Sequence, residues 1–162
     1  MTNADQIAAN IYDREGMDVP ADIGDGEGIT GIGGQTTDWL TRWSLTAPSN
    51  RQQAEQNITA WLRLSALQVV VDRSLPLGDA VADYAYNDGE RRAIGALQSA
   101  LGVAVDGVLG PVTIGAMAGV DAASIARQVA KHRIEDLGVA LASGQLKPTF
   151  ASGELNRALL FL

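Results

Sequence analysis

Apolar and polar residues along this chain recur mostly at helical spacing. Residues 3–14 place Ile7 and Ile11 one turn apart with polar residues between them, which predicts a short amphipathic helix. From Glu15 to Gln35 the texture changes to Asp and Gly, with six glycines between Gly24 and Gly34. Glycine enters φ > 0 cheaply, so this density predicts tight turns and a small hairpin. Helical spacing resumes at 37–43, where Trp39, Leu40 and Trp43 share a face, and Ala47, Pro48 and Ser49 end it. Residues 52–71 carry Ile58, Trp61, Leu62, Leu64, Leu67 and Val71 and read as one buried helix. A break is predicted at 72–77, with Pro76 stopping the pattern.

Residues 79–86 are short and apolar on one side, Asn87, Asp88 and Gly89 form a turn, and a helix is predicted over 90–101. Another turn spans 105–110, after which Pro111 suits the first position of a helix. The longest predicted helix, 122–142, holds Ile125, Val129, Ile134, Leu137 and Leu141, and a last apolar segment covers 154–162. The predicted class is mainly α, with one small Gly-rich β-hairpin near the N-terminus.

At 162 residues the chain has the size of one compact domain. The absence of cysteine excludes disulfides, thiolate metal sites and cysteine nucleophiles. One histidine, His132, excludes a multi-histidine metal centre, and no metal is expected; set between Lys131 and Arg133, it reads as a surface residue. A net charge of −7 argues against a nucleic-acid partner, which would need clustered Lys and Arg. The longest uncharged stretch, 107–120, has 14 residues and four glycines, short of the roughly 20 apolar residues of a membrane span. The first residues lack a basic region and an apolar core, so no signal peptide is expected. The expectation is a soluble monomer made in the cytoplasm.

The segment with chemical content is the predicted helix end and the Gly-rich stretch after it, with Glu15, Asp18, Asp22, Asp25, Glu27 and Thr30 at intervals. Glycoside hydrolysis uses one carboxyl group to protonate the leaving oxygen and, as a rule, a second to activate water or attack carbon. A glutamate at a helix end suits the acid role, an aspartate on an adjoining hairpin can face it, and a threonine hydroxyl can orient the water. The same acidic residues also suit solvated turns, and their chemistry leaves both readings open. Gly26, Gly28 and Gly31 form a formal G-x-G-x-x-G, but no apolar strand precedes it and Asp25 and Glu27 would repel phosphate. The EF-hand spacing for calcium is absent.

Several motifs resemble glycoside hydrolase family 108, peptidoglycan-cleaving muramidases of phages and bacterial secretion systems. Glu15-Gly16 is similar to that family's E-G-G-Y, and Gly31-Ile32-Gly33-Gly34-Gln35-Thr36 to its later G-I-T region. Asp83, Asn87 and Gly89 resemble D-x-x-x-N-x-G, and Ala93-Ile94 with Leu97-Gln98 and Leu101-Gly102 resembles A-I-x-x-L-Q-x-x-L-G. Asp106-Gly107, Gly110-Pro111 and Thr113 match D-G-x-x-G-P-x-T, and Phe150, Gly153, Asn156 and Arg157 resemble F-x-x-G-W-x-N-R. Two positions depart: Met17-Asp18 replaces Gly-Tyr, and Glu154 stands where the pattern has Trp.

The resemblance implies a lysozyme-like fold and cleavage of the β-1,4 bond between N-acetylmuramic acid and N-acetylglucosamine, with bacterial peptidoglycan as partner. It implies Glu15 as catalytic acid; Thr30 lies 15 positions later, as in phage-type lysozymes, with Asp25 between and Asp22 as its rival. Residues 1–89 would form the catalytic region and 90–162 a helical peptidoglycan-binding region, packed as one unit. Delivery to the periplasmic wall would follow holin-type release or carriage on a phage-like particle. No cofactor is required, since two carboxylates and water suffice. A noncatalytic wall-binding or secretion-assisting protein and a lytic transglycosylase are the alternatives.

Tyr86 and Asn87 are candidate substrate contacts, although Asn87 equally suits a turn. Trp39 and Trp43 read as core before sugar platforms, Asp106 and Gly107 as turn formers, and Arg91-Arg92 as a solvated helix start. The acidic balance implies either a locally positive cleft or a substrate of low charge.

Overall fold

The computed structural model describes residues 1–16, 18, 21–22 and 29–162. It is mainly α-helical, and its contacts divide the chain into two compact units, Met1–Gln68 and Val69–Leu162.

In the first unit, α1 (Asn3–Glu15) starts in a capping box: the Asp5 N–H donates to the Thr2 hydroxyl, and the Thr2 N–H donates to the Asp5 carboxylate at 2.9 Å. Gly16 ends it in the left-handed region, φ 63°, its N–H returning to the carbonyl of Tyr12. Strands β1 (Ala21–Asp22) and β2 (Ile29–Thr30) pair antiparallel, with Ala21 opposite Thr30 and Asp22 opposite Ile29. Two residues a side form a local pairing, not a sheet layer, and the turn expected between them lies outside the described residues. A 3₁₀ turn (Ile32–Gly34) follows, then α2 (Thr37–Arg42), capped by the Thr36 hydroxyl, and α3 (Arg51–Leu64), capped by Asn50.

The faces of α1 and α3 pack together, burying Ile7, Ala8 and Ile11 on one and Ala54, Ile58, Trp61 and Leu62 on the other. At about 1.5–3 kcal/mol for each large side chain, this seam is the main stabilising contact of the unit. The 3₁₀ turn touches both helices through a cluster of Tyr12, Ile32 and Ala54. Trp39, half-buried, sets its ring edge to face against the buried Trp61 at 5.9 Å.

The second unit holds most of α4 (Gln68–Arg73), then α5 (Leu75–Asp88), α6 (Glu90–Leu101), α7 (Pro111–Ala116), α8 (Ala122–Ala142) and α9 (Pro148–Leu159). Helices α5, α6 and α8 pack on one another, with α9 against α8 and α7 against α6.

Three expectations change. The single helix over 52–71 is two helices, because Ser65 leaves helical geometry (ψ 164°), donating to the carbonyl of Leu62 and accepting from the N–H of Leu67. Pro76 does not stop a helix: it lies in the first turn of α5, behind the Ser74 cap. Pro148 likewise opens α9, six residues before the predicted start at 154. Within the second unit α5 and α6 are packed together.

Candidate active site

Glu15 is the last residue of α1 and is half-buried. Just beyond it, the phenol of Tyr12 donates to the Asp18 carboxylate at 2.7 Å, tying the chain after the helix back to its last turn. Burial and that hydrogen bond push the Tyr12 hydroxyl up to about 12, so it stays a neutral donor at physiological pH. The Arg51 guanidinium covers the Tyr12 ring at 4.9 Å and bridges Asp13 (2.7 Å) and Glu55 (2.6 Å).

The 3₁₀ turn meets this helix end through glycine. Gly33 and Gly34 hold φ of 68° and 76°, and the turn closes through Gly34 N–H to the Gly31 carbonyl and Gly31 N–H to the Gln35 carbonyl. A methyl on Gly33 would lie 2.9 Å from the Tyr12 ring, and one on Gly34 would lie 2.6 Å from Oε2 of Glu15. The Gly34 backbone therefore lies beside the Glu15 carboxyl with no room between them for a Cβ. The buried Gln35 fixes the turn to α3: its amide donates to the carbonyl of Ala54 at 2.8 Å and accepts from Asn57 at 2.8 Å.

Of the residues expected here, Glu15 and the backbone of Thr30 and Asp22 belong to the first unit, the latter two paired across β1 and β2. Asp25 lies outside the described residues. Tyr86 and Asn87 belong to the second unit, at the C-terminal end of α5. Tyr86 is half-buried; Asn87 is exposed and already engaged, donating to the carbonyl of Asp83 at 2.9 Å and accepting from Arg157 of α9. His132 is partly exposed and faces Glu135 at 3.3 Å.

Two arrangements were not foreseen. Gln98, 1% exposed, staples the 105–110 loop: its carbonyl accepts from the N–H of Asp106 and Gly107, and its amide donates to Asp106, Val108 and Thr113. Gly107 is required at φ 73°, where a methyl would meet Arg91 at 2.6 Å. Arg133, 2% exposed, meets Asp83 at 2.7 Å, Glu154 at 3.0 Å and Asp88 at 3.4 Å. The signal was present: Ile125, Val129, Arg133 and Leu137 follow one another at the i, i+4 spacing of a single buried stripe.

A groove along α1 and α3 is lined by Asp5, Gln52, Glu55, Gln56, Thr59, Ala60 and Arg63. Among the described residues, no group of three or more His, Asp or Glu is arranged to hold a metal ion. Nor is any described helix long and apolar enough to cross a membrane.

No family model matches the chain, and no curated protein matches it. A solved structure does. The chain is similar to SagA of Brucella abortus, at 25% sequence identity and a TM-score of 0.66. The similarity covers 96% of this chain and 93% of that one, so the fold is shared over nearly the full length of both.

Proposed function

We propose that this protein is a peptidoglycan hydrolase of the N-acetylmuramidase type, with a lysozyme-like fold and an active centre at the C-terminal end of α1. The observation that carries the reading is the placement of Glu15: a half-buried carboxylate at a helix end, beside a glycine of a turn that is itself pinned to α3. The antiparallel pairing of β1 and β2, close in sequence to that turn, fits a small hairpin next to the acid. The ordered motif matches add support along the length of the chain.

In this mechanism Glu15 protonates the glycosidic oxygen as the bond to the muramic acid carbon breaks. An aspartate of the Gly-rich segment, Asp25 or its rival Asp22, activates or positions the attacking water, and the Thr30 hydroxyl holds it. The proton lost by water returns to the carboxylate pair, so the centre is restored without a cofactor. Tyr86 is a proposed substrate contact, while a contact by Asn87 would compete with Arg157. The partner is the bacterial wall, reached from the cytoplasm by holin-type release or on a phage-like particle.

The test is digestion of purified peptidoglycan by the protein and by Glu15→Gln, with product masses. Hydrated muropeptides ending in reducing N-acetylmuramic acid, lost in the variant, support the proposal. Anhydro products would move the protein to the lytic transglycosylases, and no products between about pH 4 and 8 would leave a wall-binding protein.

A further inference from the structure

Helical side chains lean back over the preceding turn, and Glu15, the last residue of α1, also meets backbone from outside the helix. That backbone is Gly34. A methyl there would lie 2.6 Å from Oε2, 2.9 Å from Cδ and 3.1 Å from Cγ of Glu15, so the bare backbone runs alongside the end of that side chain. The backbone is itself held on three sides. Gly34 donates its N–H to the carbonyl of Gly31, Gly33 lies against Tyr12 and Ala54, and Gln35 is bonded to α3.

We propose that Gly34 is the positioning residue for Glu15: its backbone forms a wall that sets where the carboxylate lies, and only glycine leaves that place open. The catalytic meaning of this placement rests on the muramidase reading above; the placement itself does not. Any larger residue at 34 takes the volume of the carboxyl group and forces it aside. A displacement of about 1 Å at a reacting group is enough for a loss of about a hundredfold in rate. The loss should fall on kcat, with KM little changed, because the acid acts as the bond breaks.

Left-handed backbone also disfavours alanine at 34, and a control separates the two effects. Gly144 has φ 75° with nothing within 4 Å of an added methyl, so Gly144→Ala carries the backbone strain without the contact. The experiment compares urea midpoints for Gly34→Ala in the wild-type background and in Glu15→Ala, alongside kcat and KM for Gly34→Ala and Gly144→Ala. The expected result is a distinctly smaller midpoint drop when residue 15 is alanine, a kcat loss of about a hundredfold for Gly34→Ala, and near-normal kcat for Gly144→Ala.

Equal midpoint drops in the two backgrounds would overturn the proposal whatever the activities. So would an active wild type whose kcat survives Gly34→Ala within twofold. An inactive wild type would defeat the muramidase reading alone, because the coupling between 15 and 34 is read from folding without substrate; coupling would then still uphold the wall.

Discussion

Arg133 is enclosed by Asp83, Asp88 and Glu154, three carboxylates to one guanidinium, with its ring neighbour Tyr84 donating to Asp136. Asp88 is the least satisfied member: its buried Oδ2 has no hydrogen-bond partner among the described residues, and burial pushes its carboxyl above the usual value, the Arg133 charge only partly opposing this. A raised carboxylate means that the folded state holds its proton longer than the unfolded chain. Its contribution to stability is therefore favourable at low pH and is lost as pH rises through the folded value. Asp88→Asn, which keeps the shape without the charge, is expected to raise the urea midpoint at pH 7, with the gain shrinking as pH falls into the carboxylate range. An unchanged or lower midpoint at pH 7 would contradict this. Glu154 shows what the sequence could not convey: it departs from the resembled pattern at the Trp position, and its gain, a charge pair to Arg133, exists only once α8 and α9 are packed.

Helix boundaries follow local rules, proline above all. Pro76, Pro111 and Pro148 all sit in first turns, so proline marks helix starts at each of them and not the stop expected at Pro76. The 105–110 loop carries a related lesson. The Leu97-Gln98 and Asp106-Gly107 motifs, eight positions apart, are two halves of one device, since the Gln98 amide satisfies the loop backbone. Gln98→Ala strips that loop of its partners and is expected to cost about 2 kcal/mol or more in chemical denaturation. The Gln98 hydrogen bond, and then the N–H of Val108, hold the Asp106 carboxyl below the usual range. That stabilisation is present above the ordinary carboxylate value and is lost as pH falls through the folded one, so the variant should also show a flatter acid limb.

Across the whole chain, mainly α architecture was legible because the apolar stripes of α3, α6 and α8 repeat at helical spacing. The location of Glu15 at a helix end was legible too, from Ile7 and Ile11 upstream and glycine downstream. Its contact with Gly34 was not, because it depends on α1 and α3 enclosing the 3₁₀ turn between distant segments. The net charge of −7 is a property of the full molecule, with a consequence for its proposed target. Like charges slow the meeting with an anionic wall, and salt shortens their reach from about 30 Å at 0.01 M to about 8 Å at 0.15 M. Wall-clearing rates should therefore rise over that range, and a steep fall would point to a basic cleft that governs encounter.

The central claim is that Glu15 drives addition of water across the glycosidic bond. Digestion of peptidoglycan in ¹⁸O-labelled water tests it most directly, with the reducing ends analysed by mass spectrometry immediately after the reaction. The account predicts one heavy oxygen at the new N-acetylmuramic acid end with the wild-type protein and no product with Glu15→Gln. Unlabelled anhydro ends, or labelled product at full rate from Glu15→Gln, would contradict it.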